Sequence, residues 1–140
     1  MDDRIHLQIV TARGVVYDGQ ATALSIPLEG GSIGVLADHA PLMGAVTDGV
    51  VEITHADDSK DFVAVGIGVL NVARNEVQIL VRTAEKAEDI DLDRAIAAER
   101  RARERLENRT PDLNIIRAEA ALLRAISRQN AANKVRRRHL

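Results

Sequence analysis

The 140-residue chain contains no cysteine. That excludes disulfide frameworks, thiolate metal sites and cysteine nucleophiles together. Only two aromatic residues occur, Tyr17 and Phe62, so a core has to be built from Val, Ile, Leu and Ala. The longest uninterrupted apolar run, Phe62 to Leu70, falls far short of the about 20 residues that a bilayer-spanning helix needs. The opening MDDRIHLQIV is acidic and then alternating. It lacks a basic segment followed by an apolar run, so no secretory leader is expected there. A soluble or peripherally attached protein in a reducing compartment is the expectation.

What is present divides into two halves. All nine glycines lie at or before Gly68. Glycine punctuates turns and is costly inside helices, so its disappearance marks a change of architecture. The net charge of −2 hides a matching asymmetry. Residues 1–84 carry 5 basic and 11 acidic side chains, whereas residues 85–140 carry 14 basic and 10 acidic. Such a split points to two units with different partners: a unit over 1–84 and a second over 85–140.

The first half reads as short strands. Ile5, Leu7 and Ile9 alternate with polar residues, as do Leu24, Ile26 and Leu28, and again Val77, Ile79 and Val81. Arg13-Gly14, Asp18-Gly19, Glu29-Gly30-Gly31, the run 56–60 and Arg74-Asn75-Glu76 read as turns. Strands at this spacing predict a β-sandwich or barrel. The second half reads as two helices. Asp91 is placed to cap the first, which runs to about Asn108 with the stripe Leu92, Ala95, Ala98, Ala102 and Leu106. Thr110-Pro111 reads as the start of the second, with Ile115, Ala118, Leu122, Ala125 and Ile126 on one face. Both stripes are rich in alanine. Small side chains let two helices approach closely, so an antiparallel hairpin is the simplest packing, and the small area it buries predicts weak docking.

The segment GGSIGVLADHAPLMGAV, residues 30–46, invites an enzymatic reading around His39. A general base needs an orienting partner and something to act on. Asp38 is adjacent in sequence, and neighbours on an extended chain point opposite ways. Ser25, Ser32 and Ser59 lack the setting of a nucleophile elbow. The four histidines show no metal-ligand spacing, and the glycines lack the lysine and following helix of a phosphate loop. No catalytic residue and no metal site is assigned; His39 reads as a structural or interface residue.

The stretch Gly34-Val35-Leu36-Ala37-Asp38-His39-Ala40-Pro41-Leu42 resembles the signature loop of epsilon subunits of bacterial F-type ATP synthases. The Gly66-x-Gly68 segment, the Ile-Asp-x-x-Arg-Ala motif at Ile90 to Ala95, and the terminal hairpin occur in the same order. Two departures are visible: Ala37 stands where the family commonly has proline, and Ser32 where it commonly has an acidic residue. The resemblance implies a non-catalytic rotor subunit whose sandwich binds the gamma subunit and sits on the c-ring. Ser32, His39, Pro41 and Leu42 would then belong to the rotor interface.

Twelve of the sixteen arginines follow residue 84. Arg94 and Arg101 share one helical face, and Arg124 and Arg128 share another. If the helices fold back antiparallel, four guanidinium groups converge, and such groups suit phosphate because they donate paired hydrogen bonds. Alternatively they form a solvated basic face paired with Glu99, Glu104 and Glu107. Some members of the family bind ATP in this hairpin. Carried over by resemblance, the matching positions are Glu85, Asp91, Arg94, Ala95, Arg101, Arg124 and Arg128. ATP is thus implied as a regulatory ligand, with magnesium left open. The resemblance also implies a switch: without ATP the second helix swings beside gamma, where basic residues including Arg136, Arg137 and Arg138 meet the alpha/beta catalytic subunits and restrain hydrolysis.

A nucleic-acid-binding module built on the arginine hairpin is the rival class. The acidic first half, a pI near 6.1 and the shortage of stacking aromatics speak against it. A rotor subunit with a fixed, ligand-free hairpin is the milder alternative. The expected location is the cytoplasmic side of a bacterial membrane, peripherally through the complex, or the equivalent side of a thylakoid.

Overall fold

The computed structural model describes residues 3–138. The side chains of Arg136, Arg137 and Arg138, together with residues 139–140, lie outside the described residues, and with them the proposed contact to the catalytic head. Ten strands come first: β1 (Ile5–Thr11), β2 (Gly14–Ala21), β3 (Ala23–Leu28), β4 (Gly31–Leu36), β5 (Leu42–Val46), β6 (Gly49–Thr54), β7 (Lys60–Val65), β8 (Gly68–Ala73), β9 (Glu76–Val81) and β10 (Ala84–Lys86). A single 3-10 turn over Ala87–Asp89 leads into α1 (Leu92–Glu107) and α2 (Ile115–Arg138). The last strand crosses the division placed at residue 84.

The sheet runs β10-β7-β6-β3-β5-β8-β9-β1-β2, with β4 paired to β3. All pairs are antiparallel except β1 with β9. The two ends of this order come back together, so the sheet nearly closes into a barrel. Tyr17 on β2 donates from its hydroxyl to Asp61 Oδ2 on β7 at 3.5 Å. Lys86 on β10 stands 6.0 Å from the Tyr17 ring. Burial, with Asp61 beside it, pushes the Tyr17 phenol up to about 12, so it stays neutral and serves as a closing strut.

The alternating residues fill the barrel. Ile5, Leu7, Ile9, Leu24, Ile26, Val51, Ile53, Leu70, Val72, Val77 and Ile79 are all buried in one cluster. β7 departs from alternation, with Phe62, Val63, Ala64 and Val65 buried consecutively. Val63 and Val65 point into the barrel. Phe62 and Ala64 point outward and are covered by Ala131 of α2 and Ala87. The hairpin docks on this outer face.

Two expected punctuation marks fall elsewhere. Asp18-Gly19 is not a turn: β2 continues through it in register with β1. Gly19 instead makes room for the Tyr17 ring, which a Cβ would meet at 3.3 Å. Thr110-Pro111 does not start α2. It opens a turn, closed by Leu113 N–H to the Thr110 carbonyl at 3.1 Å. Asn114 caps the helix, its side chain accepting from Arg117 N–H at 3.1 Å. The segment around His39 is a short corner between β4 and β5.

On the outer face of β1, His6 is clamped by two carboxylates, with Nε2 2.6 Å from Asp18 Oδ1 and Nδ1 2.7 Å from Glu76 Oε2. The hydrogen bond to Asp18, then that to Glu76, raises the His6 pKa. Bonds from Gln8 and His6 lower that of Asp18. The histidine's contribution to stability is present below the unfolded value of about 6.5 and fades as pH rises through the raised folded value. The aspartate's is present above about 3.9 and fades as pH falls.

His6→Ala is therefore expected to lower the thermal midpoint most between roughly pH 5 and 6 and progressively less toward alkaline pH; scanning calorimetry across pH of both proteins checks this. Gly68 marks a close approach, since a Cβ there would lie 2.0 Å from the Leu80 carbonyl oxygen and 2.7 Å from Val81 Cα. Gly68→Ala is expected to cost about 3 kcal/mol or more in urea unfolding, because backbone, not a mobile side chain, has to give way.

Candidate functional site

The helices are antiparallel and unequal. α1 has 16 residues and α2 has 24, so α2 is longer by about 12 Å at 1.5 Å per residue. The barrel is met by the C-terminal half of α2, through Arg128 and Ala131, in the same stretch where Gln129 meets α1. Between the helices the buried residues are alanines: Ala95, Ala102, Ala118, Ala125 and Ala132. Ile115 and Ile116, expected or adjacent on the stripe, are 38% and 80% exposed. Each buried methyl contributes about 0.8 kcal/mol, against about 1.5–3 for a full Leu or Ile side chain. Polar contacts supplement this seam. Gln129 Nε2 donates to Glu99 Oε1 at 2.8 Å, and Arg103 Nε donates to Glu99 Oε2 at 3.0 Å.

Where the hairpin leaves the barrel edge, a pocket of about 550 Å³ opens. That volume lies within the range that accommodates a small-molecule ligand. Its floor is Ala64, Val65, Thr83 and Ala84 of the barrel, and its walls are small residues of both helices together with the buried Ser127. Arg101 and Arg105 enter from α1, and Arg124 and Arg128 from α2. Glu85 on β10 enters from below. Arg128 Nε donates to Glu85 Oε1 at 2.8 Å, tying α2 to the barrel. Four arginines thus line an alanine-rich space together with one carboxylate, Glu85. The arrangement is chemically fitted to a polyanion.

The structure gathers Glu85, Arg101, Arg124 and Arg128 of the sequence-selected residues at this pocket. Arg105, one turn beyond Arg101, joins them; the i, i+4 spacing from Arg101 was available in the sequence. Arg94 is exposed and does not line the pocket. Asp91 is the N-cap of α1, its carboxylate accepting from Arg94 N–H at 3.1 Å. Ala95 is fully buried against α2, where Gln129 reaches its carbonyl at 3.5 Å. The Ile-Asp-x-x-Arg-Ala motif therefore acts here through local structure: Ile90 packs beside Phe62, Asp91 caps, and Ala95 permits the helix crossing.

The other selected residues separate. Ser32 lies at the start of β4, and His39, Pro41 and Leu42 lie beyond its far end, roughly 15 Å or more away at about 3.3 Å per strand residue. The His39 corner is tied to Asn75 in the β8–β9 turn. Asp38 takes a left-handed φ of 63°, its amide donating to Asn75 Oδ1 at 2.6 Å. Asn75, itself at φ 62°, donates back to Asp38 Oδ1 at 3.3 Å. His39 Nδ1 donates to its neighbour's carbonyl, Ala40 O, at 2.7 Å. No group of three or more metal-ligating side chains occurs among the described residues.

A second surface was not anticipated. Cross-strand register places Ala45, Val69, Leu80, Val10 and Val15 in one row across β5, β8, β9, β1 and β2 on the barrel's outer face. Val69, Leu80 and Val15 are 49%, 47% and 57% exposed. The row takes one residue from each of five strands, so it exists only once the register is known.

Residues 4–87 match the family model described as the beta-sandwich domain of the ATP synthase delta/epsilon chain, and residues 88–133 match its long alpha-helix domain. The ATP synthase epsilon chain of Bacillus licheniformis is 43% identical over 128 residues, 91% of this chain and 97% of that one. The epsilon chain of Moorella thermoacetica is 40% identical over 131 residues, 94% of this chain and 98% of that one. Among solved structures, a chain of the Euglena gracilis mitochondrial ATP synthase, in an assembly titled OSCP/F1/c-ring, superposes with a TM-score of 0.81. It is 22% identical, and the match covers 94% of this chain and 82% of that one, a likeness of fold. With the barrel, the docked hairpin and full-length relatives in agreement, the chain belongs to the ATP synthase epsilon-chain family.

Proposed function

We propose that this chain is a non-catalytic central-stalk subunit of a proton-translocating ATP synthase that senses ATP through its hairpin. The barrel attaches to the gamma subunit and the c-ring. The hairpin binds ATP while docked and restrains ATP hydrolysis when it opens. The observation that carries the reading is the pocket between barrel and hairpin, where both helices and β10 contribute charged groups. A ligand there touches three elements at once and binds only the docked form, so it shifts the docking equilibrium by its differential affinity. The alanine seam keeps the opposing energy small enough for such a shift. The cytoplasmic side of a bacterial membrane is the location that fits, with attachment through the complex. No described helix is long and apolar enough to cross a membrane.

The exposed apolar row fits the gamma subunit. It is continuous over five strands, faces away from the hairpin, and would be shielded only in a complex. The Ser32 end and the His39 end of β4 are then available to different rotor components. A fixed, ligand-free hairpin is the alternative, favoured by the Glu85–Arg128 pair, which already satisfies one guanidinium.

Calorimetric titration of the full chain with ATP is expected to show saturable binding, weakened at least tenfold by Arg101→Ala and by Arg128→Ala, since a charge-assisted bond contributes about 1.5–3 kcal/mol. No saturation at millimolar ATP would leave the fixed hairpin as the better account. Leu80→Glu is expected to leave the thermal midpoint nearly unchanged and to weaken capture of purified gamma subunit by tenfold or more, because a charge is placed in a desolvated contact. Unaltered capture would remove the row from the interface.

A further inference from the structure

The polar groups of the pocket change character with depth. Arg101, Arg105 and Arg124 are exposed and stand at its mouth. Arg128 is half-buried and engaged with Glu85. Below them the lining is buried and almost wholly apolar: Ala64 and Val65 from the barrel, Ala102 and Ala125 from the helices. The one polar side chain at that depth is Ser127, 6% exposed and the sole buried polar residue among the described residues.

Helix geometry turns Ser127 toward the barrel. Ala131, four residues later on the same face of α2, packs against Phe62 and Ala64 of β7. Arg128, the next residue, reaches Glu85, which pairs with Ala64 across β10 and β7. The hydroxyl therefore lies above the β7–β10 floor. A serine inside a helix commonly turns its hydroxyl back onto the carbonyl four residues earlier. Ser127 does not: no hydrogen bond of its side chain occurs among the described residues. No fully enclosed side-chain oxygen or nitrogen among them lacks a partner, so Ser127 Oγ keeps a small exposure, and the space it lines is the pocket. A hydroxyl so placed without a partner destabilises the free chain.

We propose that Ser127 is a specificity-determining residue of the pocket, its hydroxyl hydrogen-bonding the uncharged nucleoside end of the ligand while the exposed arginines hold the phosphates. The inference rests on the reading of the pocket as an ATP site. Phosphates stay at the mouth because carrying them into the apolar inner end costs desolvation. The nucleoside loses little there. A hydroxyl both donates and accepts, so it serves a ring nitrogen, an exocyclic amine or a ribose hydroxyl alike. Ligand entry completes a hydrogen bond that the free chain leaves unmade. The residue thus weakens the empty form and favours the filled one.

Ser127→Ala in the full chain removes the hydroxyl and keeps the helix, alanine being the strongest helix former. ATP and inorganic tripolyphosphate are each titrated by calorimetry into both proteins, and the ligand-free thermal midpoints are compared. The variant is expected to bind ATP about three- to tenfold more weakly, the order of one neutral hydrogen bond, and tripolyphosphate with unchanged affinity. Its ligand-free midpoint is expected to stay level or to rise by up to about 5 °C, because an unpartnered polar group has been removed. Unchanged ATP affinity overturns the proposal. So does an equal loss for tripolyphosphate, which would put the hydroxyl on the phosphates, and so does a lower midpoint, the mark of a structural hydroxyl. Tripolyphosphate that fails to bind the unmodified chain overturns it too, since the arginine mouth is then not the phosphate end. In each of these cases saturable ATP binding by the unmodified chain leaves the ATP reading standing. Absence of that binding removes the reading and the inference together.

Discussion

The structure depends on a single strand being buried on both faces. β7 sends Val63 and Val65 into the barrel and Phe62 and Ala64 out against α2 and the turn before α1. This strand makes one body of two units that otherwise have separate cores. It also places the barrel edge beside the arginines. Were Phe62 and Ala64 polar, the barrel would still close, but α2 would lose the central part of the apolar surface it lands on, leaving Ala87, Val50 and Ile90 at its margin. The contact is small in chemical terms: the Phe62 ring with Lys134 over it, three alanines, the partly buried Val50, Ile90 and Val135, and the Glu85–Arg128 pair.

That thinness matters because it is matched by the composition of the hairpin. Alanine gives close helix approach and little burial, so the helices are held by a seam and not by a core. Polar groups then carry a disproportionate share of the connection. Glu99 joins the helices through Gln129, and Glu85 joins α2 to the barrel through Arg128. The remaining arginines of the pocket line an open space, and on the proposed reading an entering anion relieves their mutual repulsion. On that reading, docking, charge and occupancy form one coupled equilibrium.

The architecture was largely legible from residues. Alternation at Ile5–Ile9, Leu24–Leu28 and Val77–Val81 reports which side faces the core, because successive side chains on a strand point opposite ways. Asp91 as the cap of α1 was legible because capping is local. The misreadings were places where local chemistry was outvoted. Asp18-Gly19 has the composition of a turn, but continuous pairing with β1 keeps it extended. Thr110-Pro111 has the composition of a helix start, yet Asn114 performs that role four residues later. Of the pocket, Glu85, Arg101, Arg124 and Arg128 could be selected in advance; Asp91, Arg94 and Ala95 take local or exposed positions.

By itself, then, the sequence determined the two-part plan, the barrel's inward residues and the concentration of arginine in an alanine-rich hairpin. These follow from periodicity and composition, which act within a few residues. Tertiary structure decided the cross-strand row Ala45–Val69–Leu80–Val10–Val15, the separation of Ser32 from His39, and the meeting of Glu85 with Arg128. Each of these joins residues far apart in the chain. Their proximity is set by strand register and helix docking, which minimise exposed apolar surface over the whole molecule and leave no mark in any single local stretch.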